Sequence, residues 1–557
     1  MPFTPVVDPL GSLTVSALVA MLPLLVMFIT LGGLRWKAHY AGLASLATAL
    51  LVAIFAFKMP AGLALLSATQ GATFGIFPIT WIVLTAIWLY QLTVVSGRFE
   101  DLRATFGLIS DDPRVLAILI AFCFGGLLEA LAGFGAPVAI TGVMLMTVGF
   151  SALRAAIVVL VANTAPVAFG AIAIPIITAG NLTGIDFRLI GAYVGHQTPV
   201  LAAFVPLLLV FLADGKHGVK ETWPVASVMG VSFAIAQWVS ATWLSVELTD
   251  VIASLVGLAA GVVMLRFWKP TGTAEAMLRL EAEHKSEVAS GRAVEVDAAT
   301  AHHTPRALTG GKIAMALFPY LLVIVVFSLA KLWPPLKEAL AATDIKFGWP
   351  GLYGQILSGG KPSSSTIYNF NWLSNPGTLL LICGVIVAIV YKVSASQALK
   401  EFTNTVYKLR WTFLTIGSVL ALAYVMNLSG QTISIGTWIA GAGPIFAFLS
   451  PILGWIGTAV TGSDTSANAL FSTLQQTAAN HLGIDPVLLV AANTSGGVVG
   501  KMISPQNLAI AATAVGLLGH EAVIFRKVIW WSLLLLAGFC ILVGLQSTPV
   551  LSWMLPA

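Results

Sequence analysis

Charge is what this sequence has least of. Its 557 residues include 28 Lys and Arg and 23 Asp and Glu, 9% in all, where a soluble domain devotes about 25%. That excludes an ordinary soluble domain. The net charge of +5 is scattered between apolar runs without a continuous basic patch, so no nucleic-acid partner is expected. Cysteine is nearly absent too. Cys123, Cys383 and Cys540 each sit inside an apolar run, and an odd number of such thiols reads as free packing residues, not a disulfide framework. H-E-x-x-H, C-x-x-C, P-loop and G-x-S-x-G elements are all missing, so no catalysis and no cofactor are expected. The adjacent His302 and His303 alone are a poor metal site.

Apolar length takes the place of charge. The chain is 58% hydrophobic with mean hydropathy +0.93, and runs near the ~20 residues that a spanning helix needs recur throughout. They predict crossings at 12–33, 39–57, 72–96, 153–178, 188–212, 223–242, 250–268, 313–333, 375–391, 408–428, 486–513 and 528–547. Ser12 to Leu31 lacks the basic n-region and A-x-A site of a secretory signal, and is expected to be the first crossing. Two further stretches, 114–150 and 443–480, are interrupted by Gly and Pro and are expected to be hairpins that enter and leave on one side. Segment 269–312 is polar and is expected to be a soluble connector, with 334–374 a second long loop. Lys and Arg orient the whole. Six of the 28 fall on loops of one side, four of them between 331 and 361, and Lys501 lies within a span. The remainder flank the other side, which is expected to be cytoplasmic, with both termini outside.

A repeat is hidden in the broken stretches. Residues 162–175 read ANTAPVAFGAIAIP and residues 492–505 read ANTSGGVVGKMISP. Asn163, Thr164, Gly170 and Pro175 recur at constant offset as Asn493, Thr494, Gly500 and Pro505. AGFGAP at 132–137 corresponds to TGSDTS at 461–466 at nearly the same offset. An odd number of crossings per copy places the second copy upside down. The expected fold is therefore an all-α polytopic membrane protein of about twelve spanning helices plus two broken hairpins, arranged as two inverted repeats. Residues 1–212 form the first repeat, 213–268 two extra spans, 269–312 the connector and 313–557 the second repeat. Unwound backbone at membrane depth is tolerated only where it is buried in protein or lines a cavity. Matching breaks in inverted halves mark a transporter's binding site near the midplane. For a single break, a kink or tight packing is the ordinary alternative.

At these residues the chain resembles the L-lactate permease family, which includes glycolate permeases. The resemblance rests on FCFGGLLEALAGFGAPVAITG (122–142), NTAPVAFGAIAIPI (163–176), KETWPV (220–225), GWIGTAVTGSDTSANALF (454–471) and LLVAANTSGGVVGKMISPQNLAIA (488–511). It covers nearly the whole chain outside the connector and the 334–374 loop. The resemblance implies proton-coupled uptake of lactate and related 2-hydroxy monocarboxylates across the bacterial inner membrane. The two ANT boxes are also similar to elements of the wider ion-transporter superfamily, which by analogy implies elevator-like movement. An uncoupled monocarboxylate channel and a sodium-coupled carboxylate transporter are the rival readings. The expected partners are substrate, protons and the bilayer, and oligomeric state is left open, a homo-oligomer included.

The residues suit that chemistry. Broken helices offer free N–H groups and a positive dipole end to a carboxylate. Gly133 and Gly135 let substrate approach the backbone. Asn163, Thr164, Thr461, Ser463, Thr465, Ser466, Asn493, Thr494 and Ser495 can hydrogen-bond a carboxylate and hydroxyl, or serve as interhelical glue. An ionised acid at mid-bilayer costs roughly 2.5–3.5 kcal/mol, so Glu129 and Asp464 are neutral, paired or functional, and are the candidates for proton coupling. Lys501 is either the partner of the substrate carboxylate or the counterion of Asp464 or Glu129. His196 is a weaker candidate relay, with a structural histidine as the alternative. Trp36, Tyr40, Trp81, Trp268 and Trp411 lie near span ends and are assigned to an aromatic belt.

Overall fold

In a hydrocarbon layer about 30 Å thick the backbone finds no water, so apolar runs of this length satisfy themselves as helices. The computed structural model describes residues 2–34, 36–106, 108–132, 135–289, 309–358, 360–517 and 520–556. Helix accounts for nearly all of the regular structure. Among these residues eleven helices are long and apolar enough to cross a membrane, and up to twelve if a bent pair counts as one span. The protein is all-α and polytopic, and its three cysteines are free thiols.

Two long helices, Ala61–Val95 and Ala395–Ser429, run antiparallel. Gly71 meets the Leu420 carbonyl, Gly75 meets Gly417, and Trp88 Nε1 donates to the Ala398 carbonyl at 2.9 Å. Both outrun the crossings expected at 72–96 and 408–428, and the 334–374 loop covers part of the extra length of the first. Tyr368 Oη donates to the Phe77 carbonyl at 2.6 Å, and Gln70 Nε2 to the Ser365 carbonyl at 3.0 Å. That loop carries structure of its own: a helix at Pro334–Ala341 and an antiparallel ladder of Ile345–Gly348 with Ile367–Phe370, registered Ile345 to Phe370.

Pro113–Leu131 and Ala136–Val148 pack side by side as a helical hairpin. Asp112, Arg114 and Arg154, which flank it, all reach helix Thr273–Ala289 or the Thr271 carbonyl just before it. A second hairpin joins Phe446–Thr461 to Asp464–Leu482. Its turn needs the left-handed conformation of Gly462, φ 77°, which costs glycine little. Ser450 Oγ donates to Gln475 Oε1 at 2.8 Å across the pair. Ala152–Ala162 and Val167–Thr183 are bent by 60°, while Pro486–Ile503 ends at Ser504, where Pro505 starts a new helix. The run Phe187–Leu244 folds back at Asp214 and Gly215, so that Gly218 meets the Val210 carbonyl and Gly230 that of Ala203.

Following these antiparallel neighbours places residues 36–37, helix Arg98–Phe106, residues 108–112, the 214–215 turn and helix Thr273–Ala289 at one end of the bundle. The two chain ends, the 334–374 loop and residues 483–485 lie at the other. At the first end, buried Arg114 gathers Asp112 at 2.7 Å, Asp214 at 3.3 Å, Glu221 and the Thr271 carbonyl at 2.7 Å. Arg279 of the connector helix adds two bonds to Asp214, at 2.8 and 2.6 Å. Burial opposes the charge on Asp112, but hydrogen bonds from Arg114 and Thr273 outweigh it and hold the carboxyl below its ordinary range. The described part of the connector is thus docked against the bundle, since these carboxylates need its cation.

Candidate functional site

Three chain breaks converge on one cavity of about 490 Å³. The second hairpin contributes Thr461, Gly462, Ser463, Asp464, Thr465 and Ser466; the bent helix contributes Gly170, Ala171 and Pro175; the third break contributes Lys501, Pro505, Gln506 and Asn507. Two helices begin at its wall. Ser463 Oγ accepts from Ser466 N at 3.3 Å and Ser504 Oγ from Asn507 N at 3.3 Å, so serine caps hold both N-termini, whose positive ends point toward negative charge. Ala171, Ile172 and Ala173 take φ of 47°, 58° and 57°. Left-handed backbone costs roughly 1–2 kcal/mol per non-glycine residue, a strain that persists where surrounding structure fixes it and that clusters at functional sites.

In the wall, Lys501 Nζ donates to Glu129 Oε1 at 2.6 Å, with the side chains 9% and 5% exposed. Asn163 Nδ2 donates to Glu129 Oε2 at 3.0 Å. Of the two roles open to Lys501 from sequence, the structure has it as the counterion of Glu129. Gly170 makes room for the pair: a β-carbon there would stand 2.9 Å from Glu129 Oε1. Across the cavity, Asp464 Oδ1 accepts from Thr458 Oγ1 at 3.3 Å, while Oδ2 has no protein partner. Buried polar atoms are nearly always satisfied, so an unpartnered carboxylate oxygen beside a cavity stands out. The cavity opens past Trp36, Lys37, His39, Trp411 and Thr412, at the end of the bundle that holds the connector helix.

Glu129, Thr461, Ser463, Asp464, Thr465, Ser466 and Lys501 of the sequence candidates therefore line one space. Asn163 stands behind it through Glu129. Thr164 Oγ1 turns back to the Val161 carbonyl at 2.7 Å. Asn493, Thr494 and Ser495 do not line the cavity. Asn493 and Thr494 donate to Asn468 Oδ1 at 2.8 and 3.1 Å, and Asn468 Nδ2 reaches the Pro175 carbonyl at 3.1 Å. Ser495 Oγ donates to Gln197 Oε1 at 2.6 Å. Their hydrogen bonds join the third broken helix to its neighbours. His196 is also elsewhere, with Nδ1 on the Ala192 carbonyl at 2.7 Å and Nε2 accepting from Trp238 Nε1 at 2.9 Å. Gly135, φ 87°, caps Ala136–Val148 against Ile510, and Gly133 lies outside the described residues.

Sequence reading assigned Trp36 and Trp411 to a belt, yet both line the cavity, and Trp411 stacks on His39 with centroids 4.4 Å apart. The residues are near helix ends as expected, but a span end and a cavity mouth share the same interface. Asp250, buried near Glu129, was missed as well. An acid opening an apolar run, three residues after Glu247, was the signal that could have found it. Among the described residues no cluster of three or more His, Cys, Asp or Glu could hold a metal ion.

The family pattern and the curated relatives agree on one family. The L-lactate permease pattern matches residues 16–550. The L-lactate permease of Bacillus subtilis is 43% identical, with 100% of each chain covered. The glycolate permease GlcA of Escherichia coli K12 is 42% identical over 97% of each chain, and the L-lactate permease of the same strain is 39% identical over 99% of this chain and 98% of its own. This chain belongs to the L-lactate permease family.

Proposed function

We propose that the chain is a secondary transporter that brings L-lactate and related 2-hydroxy monocarboxylates such as glycolate across the bacterial inner membrane together with protons. The observation that carries this reading is the buried Glu129–Lys501 pair in the wall of a cavity onto which broken helices open. The names of the relatives support the substrate class. The volume suits a small ligand, given pockets of roughly 300–1,000 Å³ for small molecules.

Coupling follows from charge. In the empty cavity Glu129 and Lys501 neutralise each other. A substrate carboxylate that takes Lys501 leaves Glu129 a buried carboxylate without its cation, which is strongly unfavourable until it gains a proton. Anion and proton then travel as a neutral set. That matters because carrying one negative charge against an inside-negative potential costs about 2.3 kcal/mol per 100 mV. The Lys- and Arg-rich end of the bundle is the cytoplasmic one by the positive-inside rule, which puts both termini outside and the cavity in an inward-open state. Two inverted halves carrying the hairpins past a fixed remainder supply the elevator-like movement, with Asp464 on the opposite tip as a second candidate for holding a proton.

The test is L-lactate uptake into proteoliposomes with an imposed pH gradient. Accumulation above the outside concentration, collapsing when the gradient is dissipated, is expected, with glycolate competing. Flux that only runs down the lactate gradient and ignores pH replaces this reading with a channel. Accumulation driven by a sodium gradient alone replaces the coupling ion.

A further inference from the structure

Behind the cavity wall lies a carboxyl that the coupling step does not use. Asp250, the second residue of span Thr249–Phe267, is 1% exposed and does not line the cavity. Its Oδ1 accepts from Gln237 Nε2 at 3.2 Å, and the same amide reaches the Ala165 carbonyl at 3.1 Å. Two residues away, Asn163 holds Glu129. One turn along the same helix from Asp250, Ser254 packs against Gly126, which is one turn before Glu129. The charged groups that act on Asp250 among the described residues are Glu129 and Lys501. The one cation that acts on Asp250 is Lys501, which also acts on Asp464, and its ammonium is already engaged by Glu129.

An acid in the first turn of a helix has an ordinary explanation in the helix dipole. It does not suffice here. No backbone N–H donates to Asp250, and both Asp250 Oδ2 and Gln237 Oε1 lack a protein partner. With Lys501 already paired to Glu129, a further uncompensated carboxylate at Asp250 is strongly disfavoured, whereas Asp250 carrying a proton adds no charge.

We infer that Asp250 is the proton relay for Glu129, passing it a proton from behind the cavity when substrate claims Lys501. The O–H bond breaks at Asp250 and forms at Glu129. Asp250 then regains a proton from water at the end of the bundle where its helix begins, next to the loop that holds the buried Glu247. One proton thus accompanies one anion, and the relay never needs to cross the occupied cavity. This inference rests on the proton-coupled reading above.

The experiment compares wild type, Asp250→Asn and Asp250→Glu in proteoliposomes, each assayed for pH-driven net uptake and for lactate exchange at equilibrium. Exchange needs the loaded carrier to reorient but needs no proton to leave. The expected result is that Asp250→Asn exchanges lactate within about two-fold of wild type while net uptake falls at least ten-fold, and that Asp250→Glu recovers net uptake. Asp250→Asn with wild-type net uptake overturns the relay. So does loss of exchange and uptake together, which makes Asp250 structural, and so does an Asp250→Glu variant that exchanges but stays uncoupled. If wild type itself shows no pH-driven accumulation, it is the proton-coupled reading that fails, a result distinct from all of these.

Discussion

Replacing Lys501 by methionine isolates the central interaction. The side chain keeps its length and loses its charge, so Glu129 is left in a wall where it is 5% exposed on the side chain, with Asn163 as its remaining donor. Removing one partner of a buried pair typically costs about 3–5 kcal/mol, because the surviving charge is stranded. In a chain this long each kcal/mol moves Tm by roughly 1–2 °C, so a fall of about 5 °C in detergent is expected. Adding Glu129→Gln removes the stranded charge while keeping an acceptor for Asn163. Lys501→Met with Glu129→Gln is therefore expected to regain most of that loss, a coupling of about 2 kcal/mol or more. Transport behaves differently. On the proposed reading, in which Lys501 receives the substrate carboxylate, Lys501→Met is expected to abolish lactate uptake and the double variant not to restore it. Thermal unfolding and uptake on the same preparations read the two effects apart. Wild-type uptake by Lys501→Met, or a double variant no more stable than the single one, would refute this account of the pair.

Gly170→Ala puts a β-carbon 2.9 Å from Glu129 Oε1 and 3.1 Å from its Cγ; the pair must shift by some tenths of an ångström, and a several-fold rise in KM for lactate with little change in Tm is expected. Arg114→Ala strands Asp112, Asp214 and Glu221 at once, so a loss of about 3–5 kcal/mol is expected, visible as lower yield and Tm, whereas Arg188→Ala, on an exposed face, changes neither. Because the Asp112 carboxyl is held below its ordinary range, its contribution is present above the unfolded value of about 3.9 and is lost as pH falls through the lower folded value. Hydrogen exchange across Thr273–Ala289 is accordingly expected to stay slow at pH 5 and to accelerate only well below pH 4; release between pH 5 and 7 contradicts that sign.

How much of this was legible beforehand can be read from single residues. Apolar length and scarce charge are properties of the chain itself, and lipid leaves such segments no option but helix, so the polytopic fold followed from sequence alone. Glu129, Asp464 and Lys501 stood out for the same reason: each is an ionisable group where solvation is lost, and each lines the cavity. Asn493, Thr494 and Ser495 looked equivalent to Thr461 and Ser466 by type and by their place beside a break. Only packing separated them, by turning the first three onto Asn468 and Gln197 and the last two onto open space. The partner of Lys501 lies 372 positions away, and a sequence with two candidate acids has no local signal that chooses between them. His39 and Trp411 met across a similar distance in the chain. Composition and break positions fixed which groups must be neutralised or buried; the crossing of helices far apart in the chain decided which ones face each other, because contact at 3 Å depends on tertiary packing that no local pattern encodes.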